Sequence, residues 1–473
     1  MSRSVYGPAP TMADEEPTKE PTKEPILYGS AGMAASGMMP GLRRKKKPNE
    51  EDEVDSEAEE STAQDENEAG ENTLPRESEA SEASDASPES KPEPEPEPEP
   101  VEPAYQGLKA VVMGHTGAGD FGSHLDLVFQ RLDGVRLFAI SDGDTGAVDE
   151  ALIKAGAPNG YSDFREMLET EKPDLVSVAP RWTDQHAEMT RAALEAGAHV
   201  LCEKPFTRTL KEADELISLA EEKNLRIAIA NPMRCDPHVL KFHEEYRELI
   251  GEILEMHLFG KMDQEAGGED LLIQGSQLFD LARLFAGDPS YCSATVTREG
   301  IPAIAEDAHE SEKSQLGPLL GDTIRAQFVM ESGVHLTFVS DPKLRGVSGP
   351  WGIEFVGEKG RMRLFANQPP IFSRLASSSP RSHTRSDIWQ LWPQVKGPYH
   401  SPVEKLTQLD AANRLLVNDW LDAIRNDRAP QSSGDDGRKA LEMVHGVWQA
   451  AVTMKRAYFP LVNRLHPLSE DAS

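Results

Sequence analysis

The chain has 473 residues, a formal net charge of −32 and only three cysteines. The acidic excess is uneven, because residues 51–100 hold 20 acidic and 2 basic side chains, a net charge of −18 that is more than half of the total. This charge argues against a nucleic-acid partner, and no apolar run reaches the roughly 18 residues that a membrane span needs. The cysteines show no CxxC spacing and indicate a reduced compartment, so we expect a cytoplasmic protein with neither a nucleic-acid nor a membrane partner.

Residues 1–105 are predicted to form a disordered, acidic and proline-rich tail. They contain the run EPTKEPTKEP, an acidic Ser/Glu/Ala tract and a Pro–Glu alternation. Such a sequence cannot bury enough apolar area to offset the entropy of ordering it. The basic run at residues 43–47 is interpreted as solvated charge rather than as a localisation signal. We assign the tail no function, although a partner-binding tail on a folded scaffold stays open as an alternative.

From residue 106 onward, short apolar strands alternate with helices. Strands are predicted at LKAVVMG, VRLFAISD, DLVSVAP, HVLCEKP and RIAIANP, and helices at LDLVFQRL, FREMLETEK, QHAEMTRAALEAG and TLKEADELISLAEEK. This alternation is typical of parallel βαβ units. It predicts an α/β fold over residues 106–232, a Rossmann domain with a doubly wound parallel sheet.

Residues 233–410 are predicted to form a second domain of the α+β class. After a long helix at LLIQGSQLFDLARLFAG, strand patterns follow one another without helices between them, at SYCSATVTR, DTIRAQFVME, GVHLTFVSD, WGIEFVGEKG and RMRLFA. Such an order indicates an open, mostly antiparallel sheet. The Ser/Pro-rich residues 372–404 predict a long loop, and residues 411–473 predict C-terminal helices that pack back on the domains.

A glycine-rich turn, GHTGAGDFG, follows the first predicted strand directly. Glycine there allows a tight turn and a close approach of the backbone to a pyrophosphate, which the next helix would bind at its N-terminus. A literal GxGxxG fits three residues further from the strand than usual, whereas the usual register has a threonine in place of the second glycine. Both registers stay open, and the candidate cofactor-binding residues are Gly114, Thr116, Gly117, Gly119 and Gly122.

Asp142 ends the second predicted strand, 20 residues after Gly122. An acid at this position accepts hydrogen bonds from the adenosine ribose and repels a 2′-phosphate. The next residues, Gly143 and Asp144, offer no cation. The sequence therefore favours NAD over NADP, while an aspartate that merely starts a turn is the simpler alternative.

The segment His199 to Pro205, HVLCEKP, resembles a strand and Glu-Lys-Pro of the Gfo/Idh/MocA oxidoreductases, which include glucose–fructose oxidoreductase and inositol dehydrogenase. The loop APRWTDQH, the domain junction, the start of the second domain and the C-terminal helices are similar too, so the resemblance spans about residues 108–460. It implies a cis peptide before Pro205. It also implies a cofactor-binding role for Pro180, His186, Glu203, Lys204 and Pro205.

Lys204 is the main catalytic candidate. At the carboxyl end of its strand, its ammonium can hydrogen-bond a substrate hydroxyl and stabilise the alkoxide that forms as hydride leaves. The resemblance places Gln277 where the family carries a histidine base, and Ile273 where it carries an aspartate. Gln277 is therefore expected to orient the hydroxyl, but an amide cannot take its proton.

Three other residues were considered as replacements for this missing pair. His257, Lys261 and Asp263 lie on the preceding strand and its exit, and they would serve if they face the cofactor. The sequence has no HExxH motif and no Cys/His cluster, so no metal is proposed.

The function implied is an NAD(P)-dependent oxidoreductase that acts on a CH–OH group of a sugar, cyclitol or related polyol. Two alternatives stay open, a relative that binds NAD with little or no dehydrogenase activity and a redox-neutral lyase or hydrolase that retains its NAD. Because residues 326, 328 and 330 and residues 334, 336 and 338 are apolar, each strand is expected to carry one apolar face. The resemblance implies association through the open face of this sheet, which would otherwise expose a large apolar surface, so we expect a homo-oligomer through the second-domain sheet.

Overall fold

The computed structural model describes residues 106–115, 122–311, 315–344, 351–366, 369–376, 388–392 and 408–469. All of these belong to one unit of the chain, Glu97–Ser473. The tail predicted over residues 1–105 lies outside the described residues.

A six-stranded parallel sheet forms the first half of the described chain, as predicted. Its strands are β1 (Leu108–Met113), β2 (Val135–Ser141), β3 (Asn159–Tyr161), β4 (Leu175–Val178), β5 (His199–Cys202) and β6 (Ile227–Ile229). Its helices are α1 (Thr145–Ala155), α2 (Phe164–Glu171), α3 (His186–Glu195) and α4 (Leu210–Glu222). The spatial order β3-β2-β1-β4-β5-β6 reverses between β1 and β4. The doubly wound Rossmann topology is confirmed, and its ligand crevice is expected at that reversal.

A ten-stranded sheet dominates the second half. Its strands are β7 (Ile253–Phe259), β8 (Pro289–Arg298), β9 (Ile301–Pro302), β12 (Thr323–Met330), β13 (His335–Ser340), β14 (Gly352–Gly357), β15 (Gly360–Phe365), β16 (Ile371–Ala376), β17 (Trp389–Leu391) and β18 (Ala457–Tyr458). The short pair β10 (His309–Glu310) and β11 (Pro318–Leu319) lies apart from it. Of its strand pairs only β7–β13 is parallel, which confirms the mostly antiparallel sheet.

The helices of this half are α5 (Pro237–Ile250), α6 (Gly268–Asp270), α7 (Ser276–Ala286), α8 (Gln408–Arg425) and α9 (Gly434–Thr453). The long helix predicted from residue 271 is present, but it begins with a π-helical turn, Leu271–Gly275. Part of the loop predicted over residues 372–404 is strand, because β16 pairs with β17. Trp392, which follows β17, is buried against Phe242 of α5, and this apolar contact explains the difference.

The Rossmann sheet buries both faces, and a C-terminal helix covers part of one of them. One face packs against α2, α3 and α4 through side chains such as Met167, Met189 and Leu216. The other face shares a core with Leu416 and Trp420 of α8. The other C-terminal helix, α9, packs on β6 of this sheet and on β8 of the second one. These contacts agree with the packing expected for the C-terminal helices, whereas the domain boundaries stay predictions.

The helix predicted at LDLVFQRL is wrong. A 3-10 turn, Gly122–His124, precedes this segment, and the segment itself forms turns with i→i+3 bonds such as Gln130 N–H to the Leu127 carbonyl. His124 and Arg131 have φ angles of 59° and 56°, outside the α-helical region. Helix α8 explains the difference, because Arg414 donates to the Gln130 and Arg131 carbonyls. The apolar spacing of this segment therefore reflects packing on α8 rather than a helix.

The apolar alternation on β12 and β13 marks the inner face of the second sheet. Phe328 and Phe338 are buried, and their ring centroids lie 5.1 and 5.3 Å from that of Phe279 on α7. The open face instead carries a polar row across five neighbouring strands, formed by Gln327, Thr337, His257, Glu354 and Arg363. The apolar-face reason for expecting an oligomer is therefore wrong, and the oligomer itself stays a prediction.

Candidate active site

The carboxyl ends of β1, β4 and β5 lie side by side at the reversal of strand order. Gly114 follows β1, and its N–H donates to the Ser141 carbonyl at the end of β2 over 2.8 Å. The predicted cofactor-binding residues Thr116, Gly117 and Gly119 lie outside the described residues. The two possible registers of the glycine-rich turn therefore stay open.

Gly122 lies directly against Glu203. Its N–H donates to the Ala179 carbonyl over 2.7 Å, and a Cβ at position 122 would lie 2.7 Å from the Glu203 Cγ. That distance is too short for any real Cβ contact, so only glycine fits here without a shift. The structure thus joins two predicted residues, one from the glycine-rich turn and one from the end of β5. The three-residue 3-10 turn that starts at Gly122 supplies no long helix for the predicted pyrophosphate contact.

Asp142 lies where the sequence predicted it, at the carboxyl end of β2. Its side chain is 2% exposed and accepts a hydrogen bond of 2.9 Å from the backbone N–H of Asp144. Its own backbone N–H donates to the Tyr161 carbonyl over 3.0 Å. Two backbone contacts therefore fix this carboxylate at the edge of the crevice.

His186 links the loop after β4 to the segment after β5. Its Nδ1 lies 2.8 Å from the Pro205 carbonyl oxygen, and its Nε2 lies 2.9 Å from that of Pro180. The ring is fully buried, and burial lowers the pKa of its imidazole while the two carbonyls oppose that shift. The structure therefore brings three predicted residues together. Because backbone carbonyls occupy both ring nitrogens, the contribution visible here is to hold the two segments together.

Lys204 follows the carboxyl end of β5, beside the reversal of strand order, and it is half-buried. Burial lowers the pKa of its ammonium, and the nearby charges of Arg181 and Lys261 lower it further. The carboxylates of Glu203 and Glu265 oppose this shift. The peptide bond to Pro205 is cis, as the resemblance implied. Lys204 thus experiences charges from both halves of the chain.

Loops of the second half close over this region. The Thr183 hydroxyl donates to the Leu316 carbonyl over 3.3 Å, and Arg208 Nη2 donates to the Gln315 carbonyl over 2.8 Å. The Gly268 N–H donates to the Gly321 carbonyl over 3.0 Å. These bonds tie the loops after β4 and β5 to the loops around residues 315–321, which in turn contact the start of α6.

Gln277 and Ile273 offer no proton acceptor. The Gln277 amide donates within its own helix, to the Ile273 carbonyl over 3.1 Å and to Gln274 Oε1 over 3.2 Å. Ile273 is buried. Within the described residues, no hydrogen bond joins Gln277 to Lys204. The predicted role of Gln277 in orienting the substrate stays a prediction.

The three residues considered as substitutes lie on different sides of the second sheet. His257 is on the open face, where its Nδ1 lies 2.9 Å from Thr337 Oγ1, so its side chain points away from the core side of the sheet. Lys261 Nζ lies 2.6 Å from Asp263 Oδ2, and the charge of Lys261 reaches Lys204. Buried Asp270 holds this segment by accepting bonds from the backbone N–H groups of residues 261 and 262. Of the three, only the Lys261–Asp263 ion pair adjoins the crevice.

A histidine and an aspartate that the sequence analysis did not single out meet at the reversal point. His115 follows Gly114, and Asp184 lies in the loop after β4. Their Nε2 and Oδ2 atoms are 3.9 Å apart, and Gln185 Nε2 lies 3.3 Å from the same imidazole nitrogen. The signal available in the sequence was a titratable residue directly after the first glycine, opposite an acid in the loop that ends at His186.

The described residues contain no group of three or more His, Cys, Asp or Glu side chains that could hold a metal ion. They also contain no helix that is both long enough and apolar enough to cross a membrane.

Comparisons with known proteins agree with this architecture. The sequence profile of the Gfo/Idh/MocA oxidoreductase family, described as having an NAD-binding Rossmann fold, matches residues 109–231. D-apiose dehydrogenase of Paraburkholderia graminis is 24% identical over 353 residues, which cover 71% of this chain and 86% of that enzyme. Myo-inositol 2-dehydrogenase of Thermotoga maritima is 25% identical over 340 residues, which cover 70% of this chain and 92% of that enzyme.

Solved structures show the same fold. A levoglucosan dehydrogenase in complex with NADH and levoglucosan has a TM-score of 0.59 at 20% identity, and the match covers 75% of this chain and 100% of that one. An aldose–aldose oxidoreductase from Caulobacter crescentus, complexed with glycerol, has a TM-score of 0.56 at 20% identity with the same coverage. Residues 109–231 therefore match the NAD-binding Rossmann domain of the Gfo/Idh/MocA oxidoreductase family, and about 70% of the chain is similar to two dehydrogenases.

Proposed function

We propose that this chain is an NAD(P)-dependent dehydrogenase that oxidises a hydroxyl of a sugar, cyclitol or related polyol. One observation carries the proposal: Lys204 lies at the carboxyl end of β5, where burial lowers the pKa of its ammonium and charged groups of both halves surround it. A relative that merely binds NAD would not need such a lysine. The relatives named above are dehydrogenases, and they give no support to a family member without that activity.

The residues at the crevice fit a dinucleotide. The carboxylate of Asp142 lies at the end of β2, the strand position at which a ribose is bound in Rossmann domains, and Gly122 allows the turn to approach Glu203. A bound nicotinamide dinucleotide would supply the acceptor for the hydride that leaves the substrate carbon. The Lys204 ammonium donates a hydrogen bond to the substrate oxygen and stabilises the negative charge that develops there. Its lowered pKa also makes it a better proton donor when the reaction runs as a reduction.

We also propose that the enzyme prefers NAD to NADP. A 2′-phosphate on the ribose would meet the buried carboxylate of Asp142, and the next residues, Gly143 and Asp144, provide no cation to compensate. Thermal-shift titrations with NADH and NADPH would measure the preference. A larger stabilisation by NADPH than by NADH at equal concentration would contradict it.

We further propose a homo-oligomer and a reduced, cytoplasmic environment. All three cysteines are free and buried, and burial raises the pKa of each thiol, so none is poised to react.

The open sheet face, with its row of polar side chains from Gln327 to Arg363, is the proposed contact of the homo-oligomer. Sedimentation equilibrium tests this point, because a stable monomer at high concentration would contradict an oligomer.

Substitution of Lys204 tests the central proposal. Turnover of a polyol panel is followed by nicotinamide absorbance, and NAD⁺ affinity is measured separately by titration. Lys204→Ala should lower kcat by about 10²–10³-fold, because one preorganised donor to the developing charge is lost, and NAD⁺ affinity should change little. Lys211→Ala on the exposed side of α4 is the control. Equal turnover of Lys204→Ala and the wild type would contradict the proposal.

A further inference from the structure

Because the Asp263 carboxylate of the second half is held in an ion pair with Lys261, a dehydrogenase with this second half needs a proton acceptor from elsewhere. Gln277 donates within its own helix, and Ile273 has no acceptor atom. His257 faces the open side of the sheet, and both ring nitrogens of His186 contact backbone carbonyls. Among the described histidines, His115 is the one that stands at the carboxyl end of a strand beside the crevice, directly after β1.

The position of His115 places it next to the point at which the sheet reverses its strand order. It follows β1, Asp184 follows β4, and Lys204 follows β5, and these three strands are neighbours in the sheet. Because adjacent strands are about 4.8 Å apart, the imidazole and the ammonium come from strands about 10 Å apart. A polyol carbon lying above the end of β4 would have one of these groups on each side.

The imidazole of His115 contacts an amide and a carboxylate. Gln185 Nε2 lies 3.3 Å from His115 Nε2, so the amide can donate to a lone pair on that ring nitrogen. Asp184 Oδ2 lies 3.9 Å from the same nitrogen, which is too far for a hydrogen bond but close enough to stabilise an imidazolium. Asp184 Oδ1 is buried and accepts no hydrogen bond within the described residues, and the charge of this carboxylate also acts on the imidazole of His186.

We propose that His115 is the proton acceptor of this enzyme and that Asp184 positions and stabilises the imidazolium it becomes. The substrate hydroxyl replaces the Gln185 amide as the donor to His115 Nε2. The O–H bond breaks and its proton goes to Nε2, while a bound nicotinamide dinucleotide would supply the acceptor for the hydride of the C–H bond that breaks. The carbon–oxygen bond becomes a carbonyl, to which Lys204 donates. This inference rests on the proposed dehydrogenase function and assigns the group that takes the proton.

Chemical rescue tests the proton role. His115→Ala should lower kcat by about 10²–10⁴-fold while NAD⁺ affinity stays as in the wild type, and added imidazole should restore part of the turnover. His243→Ala, at a half-buried position of α5, is the control and should change neither. Unchanged turnover of His115→Ala overturns the proposal. A loss that imidazole does not restore, or a matching loss of NAD⁺ affinity, overturns it as well.

The role of Asp184 has its own readout. Asp184→Asn keeps the shape of the side chain and removes its charge, so it should lower kcat and leave the KM for the polyol unchanged. A rise in KM with unchanged kcat would show that Asp184 binds substrate instead, and it would overturn the assigned role.

Chemical modification separates this inference from the proposed function. Diethylpyrocarbonate acylates accessible imidazoles, and mass spectrometry of peptides follows each histidine. Bound NAD⁺ should slow the acylation of His115 and leave that of His243 on α5 unaffected. A wild type that binds NAD⁺ but oxidises no polyol contradicts the proposed function, whereas the absence of NAD⁺ protection at His115 contradicts its place in the crevice.

Discussion

The two walls of the crevice carry different chemistry. The Rossmann wall holds Lys204, Glu203, Asp142 and the His115–Asp184 pair, which are titratable side chains at the ends of neighbouring strands. The second-domain wall offers Gln277, whose amide donates within its own helix, together with buried Ile273 and the Lys261–Asp263 ion pair. In this chain, the groups able to move a proton are therefore concentrated on the cofactor side.

This difference shows that the helix at the family's histidine and aspartate positions can keep its packing although the side chains at those positions have changed. The helix that carries Gln277 still packs beneath the second sheet, with Phe279 against Phe328 and Phe338. The second wall therefore has a clear role in packing and in shaping the crevice. Four substitutions can break or sharpen this division of roles, from the largest expected effect to the smallest.

The largest effect is expected at Arg234, which joins the two walls. Its guanidinium contacts Asp280 of α7, with Nε to Oδ2 at 3.1 Å, and Asp436 of α9, with Nη1 to Oδ1 at 2.7 Å. Arg234 and Asp280 are both buried. Arg234→Met would leave the Asp280 carboxylate without this partner, so the free energy of unfolding should fall by about 3–5 kcal/mol. Urea denaturation measures the loss.

An exposed ion pair provides the matched control for Arg234. Arg165 and Glu188 have side chains that are 53% and 60% exposed, so Arg165→Met should cost less than about 1 kcal/mol. Equal losses for the two variants would show that the buried network is not what joins the walls.

The next effect is expected at Gly122, within the Rossmann wall. A Cβ there would lie 2.7 Å from the Glu203 Cγ, so Gly122→Ala must displace either the turn or the glutamate. Overpacking of this kind costs about 1–3 kcal/mol, and we expect a lower thermal stability together with a weaker NAD⁺ affinity. Gly143→Ala, where a Cβ meets nothing within 4 Å, is the control. If Gly122→Ala bound NAD⁺ as tightly as the wild type, this contact would have no part in shaping the cofactor site.

The fold could be predicted largely from the sequence, because its signals are local. The strands β1 to β6 are short apolar runs separated by helical patterns, and this alternation is enough to specify a parallel sheet. The helix predicted after Gly122 was wrong for a non-local reason. The apolar spacing of this segment serves packing on α8, whose Arg414 donates to two carbonyls that lie 283 and 284 residues away in the chain. The apolar faces of β12 and β13 were recognised, but the sequence could not tell which side of the sheet they cover.

The candidate site, like the fold, could be predicted from the sequence only in part. Lys204, Glu203 and Asp142 were predictable because each follows a strand with a recognisable pattern. The His115–Asp184 pair was missed, because the two residues belong to different strand ends and only the β1–β4 pairing brings them together. The family histidine position drew attention to Gln277, although a sequence alone does not show that its amide is bonded within its helix.

The pH dependence of the free energy of unfolding tests a buried carboxyl group, Asp280, on the helix that also carries Gln277. Burial raises the pKa of Asp280 to about 6, above the value of an unfolded aspartate. A carboxyl group with a raised pKa favours folding most below about pH 4, and this contribution is lost as the pH rises to about 6. The difference in unfolding free energy between Asp280→Asn and the wild type should therefore move in favour of the variant across that range.

Buried histidines change the free energy of unfolding of the wild type with pH in the opposite direction. The curve of the wild type must therefore be subtracted from that of Asp280→Asn. Burial lowers the pKa of His186, and that of His466 to about 4, so their contributions are lost as the pH falls below about 6.5. Both histidines are present in the two proteins, and their effect cancels when the curves are subtracted. A difference that stays constant from pH 4 to pH 6 would contradict the raised pKa of Asp280.

The smallest effect is expected at Gln277, and its size shows whether the second-domain wall takes part in the reaction. Since its amide donates to the Ile273 carbonyl and to Gln274, Gln277→Ala should leave kcat within about threefold of the wild type. The double variant Gln277→His, Ile273→Asp, which restores the residues usual in the family, should likewise bring little gain while His115 is intact. Steady-state kinetics on the best polyol measures both. A hundredfold loss in Gln277→Ala would show that the second wall takes part in the chemistry, and the division of roles between the walls would then be wrong.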